Sequence, residues 1–323
     1  MSFSLEVKNE ICKTKEINGR DAFICGAILA SGSLVIGEQG VSFVLSSENK
    51  VFLDYLQNQI LENYPQAEFN SKNSNGSFKQ KSRIEVSIDA VSGRRILTDL
   101  GILSFTKDGN LVIDRLGDSS LTIENEDKIS YLKGLFLGGG SVSIPEPVDI
   151  NDFSKSGKNS GYHMEWTVQT EEQARHISSL LVEFDILSRI VERNQAVVVY
   201  IKESEAISTI LGLFGAHKGL LALENERAGR EMRNLVNRQA NCIAANIDKS
   251  INAALSQLKA IETIRETIGL ESLPDTLLEV ALARLANPEG SLAEIGEVLE
   301  TKISKGAISQ RFKKIMEIAK EIE

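Results

Sequence analysis

Residues Tyr131–Val142 read YLKGLFLGGGSV, an apolar stretch in which Gly134 and Gly138 are four residues apart. Residues four apart lie on the same face of an α-helix, so these glycines leave a groove without side chains along that face. The backbone of a second helix can approach closely along such a groove. The stretch therefore predicts a buried helix that packs tightly against a partner helix.

A candidate for that partner helix is present earlier in the same chain. Residues 24–34 read ICGAILASGSL, with Gly26 and Ala30 at the same spacing and a Gly-Ser pair following, as in the later stretch. Two copies of a small-residue helix indicate an internal duplication whose halves meet along these helices. The simpler alternative is two unrelated buried helices that contain glycine, but the surrounding segments also repeat.

The segments after each glycine helix follow a similar order. The first helix is followed by the strands LVI and VSFVLS, a helix at 50–63, the strand KSRIEVSID and the helix SGRRILTDLGIL. The second is followed by a strand from Ser141, the strand YHMEWTVQT, a helix at 171–184, the strands SRIVER and QAVVVYIK, and the helix ESEAISTILGLFG. Alternating apolar residues mark the strands. We predict an α+β fold in which residues 1–222 form one domain, with a short amphipathic helix at 5–16 followed by a duplicated αββαββα unit.

Residues 223–269 differ in character, because no proline interrupts them and their apolar residues recur at helical spacing. We predict a helical linker here, formed by one long helix or by two helices with a break. The predicted apolar stripe contains Met232, Val236, Ala240, Ile243, Ile247, Ile251, Ala254, Leu258 and Ile261. The opposite, polar stripe contains Arg227, Arg230, Asn234, Asn237 and Asn241. This polar stripe is either a solvated helix face or a nucleic-acid-binding surface.

Residues 270–323 predict a compact all-α unit. A helix opens at Leu273-Pro274-Asp275, with Asp275 as the expected N-cap, and ends near Asn287-Pro288. Ser291 and Glu294 form a capping-box pattern that opens a short helix, and Ser304 is the expected cap of the last helix. A short helix, a turn and a basic helix are the sequence form of a helix-turn-helix. The side chains that we expect the last helix to bury are Ile308, Phe312, Ile315 and Ala319.

The basic last helix is the candidate DNA-binding surface. We expect Lys305, Ser309, Gln310 and Lys313, on the face away from Ile308 and Phe312, to reach base edges. The cations that we expect to contact DNA phosphates are Lys302, Arg311 and Lys314 in this unit, and Arg230, Arg233 and Arg238 in the linker. A solvated basic helix, or one that docks on a protein, is the alternative.

Composition limits the other classes of function. The net charge of -9 argues against a chain coated in nucleic acid, so DNA binding would depend on local basic surfaces. Three widely separated cysteines favour a reducing cytoplasm, and no apolar run is long enough to span a membrane. His163, His176 and His217 show no metal-ligand spacing. We therefore expect no cofactor, no metal and no small-molecule substrate.

The paired glycine helices resemble those of LAGLIDADG homing endonucleases in their single-chain, two-repeat form. In those nucleases each motif ends in an acidic residue, just before Gly-Ser, that holds a catalytic metal. The matching positions here are Ser31 and Gly139, and neither carries a carboxylate. The resemblance therefore implies a degenerate nuclease domain in which the helix-packing residues Gly26, Ala30, Gly134 and Gly138 remain.

Over essentially the whole chain, the sequence is similar to the bacterial WhiA family. The matching stretches include SGRRILTDLGIL, GGGSVSIPEP, GYHME, ERNQAVVVYIKE, LPDTLLEVALARL and the segment GAHKGLLALENERAGREMRNLVNRQANCIAANIDKS. The last segment is long and unusual enough to be specific. The resemblance implies a LAGLIDADG-like saddle, a helical linker and a helix-turn-helix domain at 270–323. It also implies a regulator of cell division, chromosome segregation and sporulation that has no catalytic activity. Such a regulator binds specific sequences of double-stranded DNA at promoters and is located in the cytoplasm, at the nucleoid. The transcription machinery would be a further partner.

Within the saddle, we expect the strand cations Lys79, Lys81 and Arg83 to add backbone contacts to DNA. Two other functions stay open on the sequence. One is a protein-interaction scaffold in cell division, with the basic helix docking on an acidic partner. The other is a metal-dependent endonuclease with relocated acids, for which Glu38 and Glu146 are the nearest candidates. RNA binding is not excluded by charge, although no aromatic stacking platform is evident.

Overall fold

A computed structural model describes residues 2–14, 17–37, 40–74, 83–145, 161–193 and 196–322 of the 323-residue chain. It divides the chain into two compact units, unit 1 (Met1–Gly229) and unit 2 (Arg230–Glu323). In the described residues no helix combines the length and apolarity needed to cross a membrane. The polar stretch PEPVDINDFSKSGKNSG at 145–161, whose Pro, Gly and Ser content predicts a long loop, lies almost wholly outside the described residues.

Unit 1 begins with helix α1 (Phe3–Ile11) and then contains two repeats with the same order of elements. The first repeat consists of α2 (Arg20–Ser31), β1 (Gly32–Gly37), β2 (Gly40–Ser47), α3 (Lys50–Asn63), β3 (Phe69–Ser74), β4 (Arg83–Ile88) and α4 (Ala90–Asp99). A hairpin of β5 (Leu103–Phe105) and β6 (Leu111–Ile113) follows. The second repeat consists of α5 (Asn125–Gly139), β7 (Gly140–Ser143), β8 (His163–Val168), α6 (Glu171–Val182), β9 (Arg189–Arg193), β10 (Ala196–Ile201) and α7 (Ser204–Leu213).

The two repeats form matching antiparallel sheets. The strand order is β1-β2-β4-β3 in the first sheet and β7-β8-β10-β9 in the second. Each sheet starts immediately after a glycine helix, at Gly32 and Gly140. The predicted α+β fold with a duplicated αββαββα unit is therefore confirmed.

Two boundaries in unit 1 differ from the prediction. The helix expected through residue 103 ends at Asp99, because Gly101 has a φ of +69° and cannot continue a right-handed helix. Leu103 instead begins the β5–β6 hairpin, which the sequence pattern did not predict. The first helix ends at Ile11 rather than at residue 16, since the chain turns at Cys12 and Lys13.

The glycine helices α2 and α5 lie at the centre of the unit 1 core and pack along each other. Large aromatic side chains surround them. Phe136 contacts Trp166 edge to face, with ring centroids 6.1 Å apart, and the Trp166 indole N–H donates to the Leu132 carbonyl at 3.2 Å. The central helix pair thus holds the two sheets of the duplication together.

The remaining helices are α8 (His217–Thr267), α9 (Asp275–Ala286), α10 (Leu292–Val298) and α11 (Lys305–Ile322). Helix α8 is one continuous 51-residue helix, so the alternative of two helices with a break is wrong. The unit boundary falls within it. Only the C-terminal end of its apolar stripe is buried: Ile261 is 0% exposed, whereas Met232 is 63% exposed and Ile247 is 54% exposed.

Unit 2 has its own apolar core. The expected inward face of α11 is confirmed, and its residues pack with buried side chains of α8, α9 and α10. The core contains Ile261, Ile264, Leu277, Val280, Ile295, Ile308, Phe312, Ile315 and Ala319. Ser304 caps α11 as expected, with its Oγ accepting from the Ala307 amide at 3.3 Å. Asp275 is not the N-cap of α9, since Pro274 occupies that position and Asp275 is the first helical residue.

Candidate nucleic-acid interface

The glycine helices meet through their backbones. A Cβ atom added at Gly134 would collide with the Phe23 carbonyl oxygen and lie 2.7 Å from the Ala27 amide nitrogen. One added at Gly26 would likewise collide with the Tyr131 carbonyl oxygen. Only glycine permits this separation at either position. At the far end of α5, a Cβ on Gly138 would lie 2.7 Å from the Cβ of Ala30.

Neither of the positions that the resemblance matches to a nuclease acid, Ser31 and Gly139, has a free side chain. Ser31 is 9% exposed, and its Oγ donates to the Ala27 carbonyl of its own helix at 2.7 Å. Gly139 has no side chain and faces the Thr167 carbonyl and Ala30. The pair therefore offers one hydroxyl that is already hydrogen-bonded and no carboxylate.

A cavity of about 360 Å³ opens beside Ser33, just past the end of α2. Its polar lining includes Asp114, Arg115 and Gln173. Asp114 accepts a hydrogen bond from the Leu116 amide at 2.7 Å, and the Gln173 amide donates to the Arg115 carbonyl at 2.9 Å. Both side chains are thus hydrogen-bonded to backbone groups of the segment that follows the β5–β6 hairpin, and they hold that segment in place.

Across the described ranges, His, Cys, Asp and Glu side chains form no group of three or more that could hold a metal ion. The relocated acids considered for a nuclease, Glu38 and Glu146, lie outside the described residues. The same is true of the expected saddle cations Lys79 and Lys81. Arg83 is described, and it lies exposed at the start of β4.

In unit 2, a complete capping box fixes the start of α10. The Ser291 Oγ accepts from the Glu294 amide at 3.2 Å, and Glu294 Oε2 accepts from the Ser291 amide at 2.7 Å. The bond from the Ser291 amide to the Glu294 carboxylate holds the pKa of Glu294 below its ordinary value. Helix α10 then packs closely on the start of α11, since a Cβ on Gly296 would lie 2.6 Å from Cδ1 of Ile308. The short helix, turn and long basic helix are thereby held in a helix-turn-helix arrangement.

The outward face of α11 and the turn before it carry most of the predicted DNA-binding side chains. The exposed members are Lys302, Lys305, Ser309, Gln310, Lys313 and Lys314. Lys313 is 4.0 Å from Glu317, one turn further along the same exposed face. Such a surface ion pair is weak, so it leaves the lysine available for another partner.

Arg311 has a different environment from the expected phosphate-facing one. Its Nη1 donates to the Thr276 carbonyl at 3.2 Å and lies 3.9 Å from the carboxylate of Glu279, both on α9. The side chain is half-buried against that helix. The geometry thus directs the guanidinium towards α9, where it ties α11 to its neighbour.

The predicted linker arginines lie near the N-terminal end of unit 2. Arg238 is exposed, and its Nε donates to the Asn234 carbonyl one turn earlier at 3.2 Å. Arg230 and Arg233 are half-buried, and each has an interaction partner. Of these three cations, Arg238 is the one that is exposed to solvent.

Arg284, which the sequence reasoning missed, is the most unusual charged residue of unit 2. It is 2% exposed, and its guanidinium lies over the Phe312 ring with 5.2 Å to the ring centroid. Its Nε donates to Gln257 at 3.0 Å, and its Nη1 donates to the carbonyls of Asn287, Pro288 and Gly290. Burial lowers the pKa of Arg284. Its position in the apolar run VALARLA was a signal that it lies on a buried helix face.

Family models match most of the chain. The model for a WhiA LAGLIDADG-like domain matches residues 20–88 and 128–233, and that for a WhiA C-terminal HTH domain matches residues 236–319. The chain is 35% identical over 325 residues to a "Probable cell division protein WhiA" of Clostridium beijerinckii, covering 100% of this chain and 99% of that protein. It is 36% identical to the protein of the same description from Clostridium perfringens strain SM101, covering 100% and 98%.

The structural comparison covers the same span. A crystal structure described as full-length DUF199/WhiA from Thermatoga maritima matches with a TM-score of 0.58 at 26% identity. The match covers 100% of this chain and 99% of that one. Both units of the fold therefore occur together in a solved structure.

Proposed function

The chain belongs to the WhiA family, and from this and the geometry of unit 2 we propose that it is a sequence-specific DNA-binding regulator of cell division without nuclease activity. Its relatives are described as cell division proteins, and its C-terminal region matches a helix-turn-helix model. A helix-turn-helix reads DNA through the second helix, which lies in the major groove. We assign that role to α11.

The observation that carries the proposal is the division of α11 into two faces. Ile308 and Phe312 anchor one face in the unit 2 core, each at most 1% exposed, while Ser309 and Gln310 are exposed beside them. Glutamine can pair with both hydrogen-bonding groups of an adenine edge. Gln310 is therefore the side chain that we expect to discriminate most strongly between sequences, with Ser309 and Lys313 as further base contacts.

The cations near this face supply affinity rather than sequence readout. Lys302, in the turn before α11, and Lys314, one turn after Gln310, are exposed, and both are suited to phosphate oxygens. Arg238 is the linker arginine best placed to add a phosphate contact. Because the whole chain carries a net charge of -9, weakening these local contacts should reduce binding to all sequences.

The absence of nuclease activity is inferred from the ends of the glycine helices. Cleavage in the LAGLIDADG manner needs a carboxylate at the end of each helix to hold a divalent metal. Ser31 and Gly139 occupy those positions, and the Ser31 hydroxyl is engaged with the Ala27 carbonyl. We infer that the helix pair has kept its packing role and lost the metal ligands.

The test is a salt-dependent binding titration of the full chain on genomic DNA fragments, including the region upstream of its own gene. Gln310→Ala should relax selectivity, costing about 1–3 kcal/mol of discrimination at one base position. Lys302→Ala should weaken binding on all fragments equally and reduce the salt dependence. Unaltered selectivity in Gln310→Ala would remove α11 as the reader.

A parallel incubation with supercoiled plasmid and Mg²⁺ or Mn²⁺ tests for nuclease activity. We expect the plasmid to stay intact at protein concentrations that saturate the binding sites. Nicking that disappears on changing Glu38 or Glu146 to Gln would contradict this part of the proposal. Binding to an acidic protein partner without any selectivity among DNA fragments would favour a scaffold in cell division instead.

A further inference from the structure

A groove of about 580 Å³ lies within unit 2, between the C-terminal half of α8 and the start of the helix-turn-helix. One wall comes from a single face of α8, and the other comes from the start of α10 and the first residue of α11. The lining residues are Asn246, Lys249, Ser250, Ala253, Gln257, Arg284, Ser291, Leu292, Ala293 and Lys305. The groove therefore adjoins the end of α11 that we expect to approach base edges.

All the charged side chains that line this groove are positive. They are Lys249 from α8, Lys305 from α11 and Arg284 from α9. Neither lysine is in an ion pair with any described residue, and both are exposed. The nearest acid along α8, Asp248, points to a different face, because adjacent helical residues are separated by about 100°. Asn246 and Ser250 add neutral hydrogen-bonding groups on the same face as Lys249.

Arg284 gives the floor of the groove a buried positive charge. Its hydrogen-bond partners are an amide oxygen of Gln257 and backbone carbonyls, and no carboxylate lies among them. A buried cation that has only neutral partners creates a strong local potential, because little water screens it. The same side chain joins α8, α9 and α11, so it holds the walls of the groove in place.

A second groove in unit 2 shows that this charge pattern is not general. It has a similar volume, about 660 Å³, and lies on the side formed by Asn287, Pro288 and Gly290. Its charged lining residues are Glu289 and Glu294. An anion would be repelled there and attracted to the groove of Lys249 and Lys305, so the two faces of the helix-turn-helix differ in electrostatic sign.

We propose that the groove between α8 and the helix-turn-helix binds a phosphate of the DNA backbone, with Lys249 and Lys305 as its direct contacts. The inference rests on the proposed DNA-binding function and extends it to a part of α8 outside the helix-turn-helix. It gives Lys305 a phosphate-binding role in place of base readout. It also makes α8 a participant in positioning α11, because phosphate contacts fix the register of a protein on the duplex.

The experiment compares Lys249→Met, Lys305→Met and the double variant with the wild-type full chain. Lys259→Met is the matched control, since Lys259 is an exposed lysine of the same helix that does not line the groove. Affinity is measured from about 50 to 300 mM salt on one selected fragment and on one unrelated fragment. The slope of log K against log salt counts the phosphates that a protein neutralises, at about 0.9 per phosphate on B-DNA.

Each single variant should bind both fragments about threefold to tenfold more weakly near 0.15 M salt, and the double variant, which leaves the phosphate with neither lysine, should have a slope smaller by about 0.9. The ratio of affinities between the two fragments should stay unchanged, and Lys259→Met should match the wild type. A wild-type slope in the double variant, wild-type affinity in Lys249→Met, or an equal loss of affinity in Lys259→Met would overturn the inference. The proposed function would still stand if the wild type bound the selected fragment selectively. No DNA binding by the wild type would overturn both.

Discussion

Two helix contacts in this molecule are both built from residues at helical spacing, but one depends on glycines and the other on large apolar side chains. Between α2 and α5, glycines bring the backbones together, and a Cβ at Gly134 would lie 2.7 Å from the Ala27 amide nitrogen. In unit 2, α11 is held by large side chains, with Phe312 only 1% exposed. The first contact is disrupted by adding atoms, and the second is disrupted by removing them. This difference bears on function. Ser31 and Gly139 lie at the contact between the glycine helices, whereas the contact made by the large side chains of α11 leaves the polar face of that helix exposed.

The largest expected effect is on the side-chain contact. Phe312→Ala removes a fully buried ring that also lies against Arg284, and it should destabilise unit 2 by about 3–5 kcal/mol. Trp166 is the only tryptophan of the chain and lies in unit 1, so its fluorescence reports on that unit alone. We expect the helical circular dichroism signal to show an earlier unfolding transition, that of unit 2, while the transition reported by Trp166 fluorescence stays in place.

Glu321→Ala is the control for that change, because Glu321 is an exposed residue of the same helix. It should alter stability by no more than about 0.5 kcal/mol. If Phe312→Ala moved the transitions no further than this control, the described core of unit 2 would be wrong.

The next effect concerns the glycine contact. Gly134→Ala places a Cβ against the backbone of α2, which has no flexible atoms to move aside, and should cost unit 1 about 2–3 kcal/mol. Gly212→Ala is the matched control within unit 1, since its Cβ would meet only Leu220 Cδ2 at 3.9 Å. That change should be neutral or stabilising by up to about 1 kcal/mol. Denaturant unfolding followed by Trp166 fluorescence measures both; similar effects of the two substitutions would show that the backbones are further apart than described.

The smallest effect is at the capping box of α10. Ser291→Ala removes the acceptor for the Glu294 amide and should cost unit 2 about 1 kcal/mol at neutral pH. The pKa of Glu294 is lowered by its hydrogen bonds with Ser291, so the contribution of its carboxylate is present above the ordinary value of 4.5. It is lost as the pH falls through the lower folded-state pKa. When the free energy of unfolding is measured against pH, the values for the wild type and Glu294→Gln should therefore converge in acid. A difference that stayed constant with pH would contradict this assignment.

Much of the architecture was predictable because it depends on local periodicity. The paired small residues at Gly26 and Gly134 predicted the central helices and the duplication. The spacing of Ile308, Phe312, Ile315 and Ala319 predicted the buried face of α11, and Ser291 with Glu294 predicted the start of α10. Each of these signals lies within about one to three turns of chain, where helix geometry alone fixes which side chains share a face.

The sequence by itself determined the two repeats, the helix-turn-helix and the absence of a carboxylate at Ser31 and Gly139. Tertiary structure alone decided the surroundings of the long polar side chains. The same helical position lets Arg311 reach solvent or α9, and the packing of α9 directs it to Thr276 and Glu279. Arg284 is likewise buried because Gln257 and Phe312 come from elements distant in the chain. A flexible side chain takes its direction from whichever neighbours the fold supplies, and no local pattern contains that information.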